Sequence, residues 1–99
     1  VSQRRVVLSD DALEDLADIW TYIALDDPSK ATDYVQFVRS RIGLLVDYPA
    51  AGRDRDDVAP KVRSLTVSSH LVLYRVTPTE IQVLRIVSGR RNLRQLLGG

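Results

Sequence analysis

The chain has 99 residues, no cysteine, one histidine and a formal net charge of +1, with 44% hydrophobic and 27% charged residues. That length accommodates one domain over residues 1–99 with a single core, the lack of cysteine excludes disulfides and thiolate metal sites, and a lone histidine, His70, argues against a histidine-based metal centre. No apolar run approaches the ~20 residues of a membrane span and the N-terminus lacks the apolar segment of an export signal, so the expectation is a soluble cytoplasmic protein with no cofactor, metal or small-molecule ligand.

Arg5 to Leu8 (RVVL) reads as a short first strand. Ser9 or Asp10 fits a helix N-cap, and Asp10, Asp11, Glu14 and Asp15 place negative charge at the positive end of the helix dipole. Leu13, Leu16, Ala17, Trp20, Ile23 and Ala24 then recur at helical spacing, and Ala12 and Ile19 widen the stripe beyond one core face. Asp26-Asp27-Pro28 interrupts it, with Asp27 as cap and Pro28 at the first position of a second helix. Ala31, Val35, Val38, Ile42 and Leu45 form the second stripe, flanked by Tyr34 and Phe37, and Asp47-Tyr48-Pro49 ends it. The short link predicts an antiparallel helical hairpin.

Pro49 to Pro60 reads as a polar, mobile loop. Val62 to Val67, Leu71 to Val76 and Ile81 to Val87 are strands rich in β-branched and aromatic residues, the last two joined by Thr77-Pro78-Thr79-Glu80 as a hairpin loop. Simple alternation puts Ile81, Val83, Arg85 and Val87 on one side of the last strand, and Gln82, Leu84, Ile86 and Ser88 on the other. Asn92 to Leu97 fits a single helical turn. The expected fold is α+β, ordered βααβββ, an antiparallel curved sheet with the N-terminal helical hairpin packed on one face.

Charge divides with the elements. Residues 1–50 carry five Lys or Arg against nine Asp or Glu, and residues 51–99 carry nine against four. The basic half suits a polyanionic partner, or the halves simply neutralise one another.

The run LEDLADIWTYI followed by DDP, then YPAAGR, VRSL, HLVLYRV and LRIVSGRR in that order, resembles the RelE/ParE superfamily, toxins of type II toxin–antitoxin pairs. The resemblance spans roughly residues 5–91 and implies the same βααβββ fold. Trp20 with Tyr22-Ile23, and the GRR after the last strand, look like the ParE-like branch. That branch implies a binding toxin that poisons DNA gyrase, is neutralised by a ParD-like antitoxin, and assembles as a hetero-tetramer of two toxins and two antitoxins. The RelE-like alternative is a ribosome-dependent mRNA endonuclease.

Cleavage through a ribose 2′-hydroxyl needs a base, an acid and cations around the phosphate. Arg63 and Arg85 match the superfamily's strand arginines, but the slot that often holds histidine near the end of the last strand is Ser88, whose hydroxyl cannot replace imidazole as a base. His70 and Tyr74 lie on one side of one strand at about 13 Å separation, too far apart for one phosphate. His70 is therefore expected at the surface, and Tyr74 as a packed ring with a wet hydroxyl. No catalytic residue is assigned and ribonuclease chemistry ranks second.

The target-binding candidates are Arg63, Arg85, Arg90, Arg91 and Arg94. Each carries an alternative: Arg63 can tie the sheet to a loop acid (Asp54, Asp56 or Asp57), Arg85 can be partly buried and paired, and Arg90, Arg91 and Arg94 can equally form a solvated basic tail, with the resemblance favouring binding. The antitoxin-binding candidates are Ala12, Ile19, Trp20, Ile23, Tyr34 and Phe37, a surplus of apolar groups over what one hairpin face buries, with Trp20 weighted toward the core. A helix in a groove and an added strand are both open modes for that partner.

Overall fold

The computed structural model describes residues 3–89; Arg90, Arg91, Arg94 and the turn expected over Asn92 to Leu97 lie outside them. Strand β1 (Arg5–Leu8) leads into α1 (Asp10–Ala24), α2 (Pro28–Gly43) and a 3-10 turn, Leu44–Val46. Four strands follow: β2 (Arg53–Asp54), β3 (Arg63–Val67), β4 (His70–Val76) and β5 (Glu80–Ser88).

Local chemistry sets the helix ends. Ser9 caps α1 by accepting the Ala12 amide, and Asp27 caps α2 by accepting those of Ser29 and Lys30, with Pro28 at the first helical position. Tyr48 N–H closes the end of the 3-10 turn on the Leu44 carbonyl at 3.0 Å.

The sheet order is β1-β5-β4-β3-β2. The α+β class and the helical hairpin are as expected, but the sheet is mixed: β1 lies parallel to β5, Val6 opposite Ile81 and Leu8 opposite Val83, while the other pairs are antiparallel. The intervening helical hairpin provides the crossover that parallel neighbours need. Ala12 and Leu16 of α1 and Val38 and Ile42 of α2 bury against Val67, Val72, Val83 and Ile86. At about 1.5–3 kcal/mol per fully buried large aliphatic side chain, this layer dominates the stability. A second cluster on the sheet's other face seats Val58 and Val62 against Leu73 and Val87.

Simple alternation fails in β5. Leu73 lies opposite Arg85 but the next residue, Tyr74, lies opposite Val83, so Leu84 is an extra residue, a β-bulge. The bulge reverses the facing of everything after it. Ile86, not Arg85, joins Ile81 and Val83 on the helix side, and Val87 joins Leu84 on the other.

The loop from Pro49 to Pro60 is also more ordered than expected. It contains β2, and Val58 is buried. Arg55 N–H donates to the Val62 carbonyl at 2.8 Å, and Asp56 Oδ1 accepts the Lys61 amide at 2.8 Å, which holds Lys61 at a positive φ of 63°.

Candidate protein-interaction site

The strand arginines are engaged inside the molecule. Arg85 donates from Nε and Nη2 to the two carboxylate oxygens of Asp15 on α1, at 2.8 and 2.9 Å. Both side chains are mostly buried, with relative exposures of 18% and 12%. The bidentate hydrogen bond to Asp15 holds the guanidinium above its ordinary pKa against the opposing effect of burial, with Asp11 and Glu14 adding to it. Asp15 Oδ2 also accepts the Ile86 amide at 2.8 Å, and Ser9 Oγ donates to the Leu84 carbonyl at 2.8 Å. The backbone groups that the bulge frees are thus met by α1 and its cap. Of the two readings open for Arg85, the paired one is realised. Arg63 donates from Nη1 to the Gly52 carbonyl at 2.8 Å, so it ties the sheet to the loop through a carbonyl, not through a loop acid.

Tyr74 is fully buried and its hydroxyl is dry: it donates to the Pro49 carbonyl at 2.8 Å and accepts the Gly52 amide at 2.9 Å. Burial pushes its pKa up, opposed by the Gly52 amide and the Arg63 charge. The expected wet hydroxyl is wrong because the YPAAGR loop folds over it. Gly52 is required there, since a Cβ would lie 2.6 Å from the Tyr74 hydroxyl and 2.8 Å from the Ser64 carbonyl.

His70 is half-buried rather than at the surface. Its Nδ1 lies 2.6 Å from the Tyr34 hydroxyl of α2, and burial lowers its pKa. Both residues line an open cleft of about 640 Å³ with Asp18, Ile19, Tyr22 and Ile23 of α1 and with Ser69 and Ser88. Ser88 stands directly opposite His70 across the β4–β5 ladder. A smaller cleft lined by Tyr22, Ile23, Leu25 and Asp26 shares residues with it at the hairpin tip.

Three antitoxin-binding candidates, Ile19, Ile23 and Tyr34, come together in this cleft. Phe37 is about half exposed on α2. Trp20, weighted toward the core, is instead 40% exposed, with its indole N–H donated to Thr32 Oγ1 at 3.1 Å. It leans against the neighbouring helix, so the indole needs no place in the core. Ala12 is fully buried between α1 and the sheet and has no surface to offer a partner. Tyr22 and Leu25, 78% and 83% exposed, were missed. Both sit off the apolar stripe, and a large apolar residue off the stripe near a helix end is the signal that can reveal such a pair.

Among the described residues, the cleft lining holds one carboxylate and no Arg or Lys. It is an apolar, weakly acidic surface fit for a peptide, and a poor one for phosphate. No helix among the described residues is long and apolar enough to cross a membrane.

Residues 6–93 match the family model of the ParE toxin of type II toxin-antitoxin system, parDE. The chain is 30% identical over 92 residues to Toxin ParE1 of Caulobacter vibrioides, covering 92% of this chain and 95% of that protein. It is 39% identical over 61 residues to Toxin ParE3 of the same organism, covering 62% of this chain and 61% of the relative, so that match spans less than two thirds of it. A chain from the structure titled chromosomal ParDE TA system from P. aeruginosa superposes with a TM-score of 0.75 at 30% identity, covering 87% of this chain and 96% of the other. The fold is therefore that of a type II toxin, and the chain belongs to the ParE toxin family.

Proposed function

We propose that the chain is the toxin of a ParDE-like pair, that it inhibits DNA gyrase by binding rather than by catalysis, and that a ParD-like antitoxin neutralises it in a hetero-tetramer of two toxins and two antitoxins. The family match supports the first part. The observation that carries the binding mode is the use of Arg63 and Arg85. Both guanidinium groups that a nuclease would turn on a phosphate are held by internal partners, Gly52 and Asp15. Arg85 spends a bidentate pair of donors on Asp15, and Arg63 is tethered through Nη1 to the Gly52 carbonyl, so neither guanidinium is presented as a free phosphate clamp. The C-terminal arginines Arg90, Arg91 and Arg94 are the proposed gyrase contacts, by guanidinium pairing with acidic surface groups. The antitoxin covers Ile19, Ile23, Tyr34, Phe37 and Trp20, together with Tyr22 and Leu25. The mRNA-endonuclease alternative has less support, because the lone histidine opens on a cleft without a described cation.

Purified toxin is expected to inhibit gyrase supercoiling at stoichiometric amounts and to leave messenger RNA on translating ribosomes intact. Codon-phased cuts without gyrase inhibition would replace this reading with the endonuclease.

A further inference from the structure

Helix α2 carries a row of exposed side chains that faces neither the sheet nor α1. It buries Ala31, Val38 and Ile42, and it meets α1 at Thr32, the acceptor for the Trp20 indole. Lys30, Asp33, Phe37, Ser40 and Leu44 follow one another at steps of three and four, so they share a further flank of the helix. Asp47, whose backbone is still helical, extends the row past the 3-10 turn. All six are exposed, and the two large apolar members, Phe37 and Leu44, keep 48% and 45% of their surface in solvent.

The charges on this flank have no partner within one copy. Among the described residues, none of Lys30, Asp33, Arg41 and Asp47 takes part in an ion pair. Lys30 and Asp47 stand at opposite ends of the row, roughly 25 Å apart at ~1.5 Å per residue. They cannot reach each other within one chain.

The row is its own complement. Laid antiparallel on a copy of itself, it sets Lys30 opposite Asp47, Asp33 opposite Leu44 and Phe37 opposite Ser40, each pairing occurring twice. Ser40 is the small residue that makes room for a ring, and its hydroxyl is already spent on the Phe37 carbonyl at 2.8 Å. Arg41, beside the row, comes over the facing Phe37 ring and within reach of the facing Asp33, which suits a guanidinium on both counts. Steps of three and four are also the spacing by which two helices interlock along a seam. Lone charges at both ends of an apolar centre, each matched by the opposite end of the same row, point to a second copy of this chain.

We propose that α2 pairs antiparallel with α2 of a second copy, across a two-fold axis level with Val38 and Arg39. One helix flank offers less than the roughly 800 Å² per partner of a standard interface, so the pair forms weakly, on the order of 10–100 μM. Phe37 is also among the residues assigned to the antitoxin above. The pair is therefore a state of the free toxin, and antitoxin and second copy exclude one another. The pairing needs only α2 and stands apart from the gyrase reading.

Sedimentation equilibrium of the full chain from about 1 μM to about 500 μM is expected to show monomer and dimer in exchange. Phe37→Ala should weaken the dimer roughly tenfold or more, since it empties both central layers. Lys30→Glu should weaken it roughly fivefold or more, since two end pairs become repulsive. Adding Asp47→Lys to Lys30→Glu restores opposite charges across the axis and should recover most of that loss. No contact inside one chain can produce such a rescue. These positions are exposed, so melting temperatures should hold, and the charge swap decides the matter even if Phe37→Ala folds poorly. A monomer throughout the range, a dimer indifferent to Lys30→Glu, or a loss that the double variant leaves unrecovered would each overturn the proposal.

Discussion

The two halves of α1 use the same kind of residue for opposite ends. In the first half and its cap, Ser9, Ala12, Asp15 and Leu16 all turn inward, two into the core and two onto the β5 bulge. In the second half and just beyond it, Ile19 and Ile23 are only partly covered, while Tyr22 and Leu25 stand in solvent. One helix therefore anchors the fold at its start and displays an apolar surface at its end. If so, stability and partner binding can be damaged separately, and mutations along α1 and against its neighbours measure how cleanly they divide.

The largest effect is expected at the anchor. Asp15→Ala leaves Arg85 mostly buried without its carboxylate and strips the Ile86 amide of its acceptor. Removing one partner of a buried pair typically costs about 3–5 kcal/mol. Urea unfolding should read a loss in this range. A loss below about 1 kcal/mol, the range of surface pairs, would mean that water supports the bulge and that α1 is not anchored there.

Tyr74→Phe tests whether the loop side of the sheet is held in the same way. The variant keeps the ring and removes the group that serves both Pro49 and Gly52. A stability loss of about 1–3 kcal/mol is expected, the cost of buried polar groups left without a partner. Faster amide exchange confined to the Pro49–Pro60 segment would place that loss in the loop. Unchanged exchange would mean that Arg63 and the β2–β3 pairing hold the loop unaided.

At the display end the expectation reverses. The double variant Tyr22→Ala, Leu25→Ala removes two exposed side chains, so stability should move by no more than about 0.5 kcal/mol. If the antitoxin covers the hairpin tip, affinity for it should fall by roughly tenfold or more, because a few anchors, tyrosine prominent among them, carry most of an interface's energy. Titration calorimetry with the cognate antitoxin decides it. Unchanged affinity would move the interface away from the hairpin tip.

How much of this the sequence discloses follows from how far apart the determinants lie. The caps at Ser9 and Asp27, Pro28, and the strand runs are local signals, and they locate the elements to within a residue or two. The bulge is not local. It rests on Ser9 and Asp15, which lie 75 and 70 positions before Leu84 and Arg85. In the sequence, Asp15 is one of several acids near a helix start, with nothing to mark it as the partner of an arginine. Strict alternation therefore assigns Arg85 and Ile86 to the wrong sides. The dry hydroxyl of Tyr74 escapes for the same reason, since Pro49 and Gly52 are brought to it only by the closed loop. Trp20 misleads differently: an indole fits a core stripe as well as a helix–helix seam, and spacing cannot separate the two. Of the candidate site, the apolar surplus on the hairpin was legible, but the exposed pair Tyr22 and Leu25 at its tip was not.

The smallest expected effect lies between the two halves, at His70. Burial lowers its pKa from the ordinary 6.5, so folding favours the neutral ring, which can accept the Tyr34 hydroxyl at Nδ1. The unfolded chain then binds the proton more readily than the folded one. The stabilisation is complete above the unfolded value and is lost as pH falls from there through the folded value, so stability should decline below about pH 6.5. One such group contributes a slope of at most about 1.4 kcal/mol per pH unit. His70→Phe keeps a ring against Tyr34 and cannot titrate. Its unfolding midpoint should change less than that of the unaltered protein between pH 7 and pH 5, whatever the carboxylates contribute to both. The same protonation puts a cation into a cleft that contains Asp18 and the exposed Tyr22. An antitoxin affinity that shifts with pH in the unaltered protein, but not in the variant, would tie the histidine to the display half of the helix. Parallel stability curves would assign it to neither.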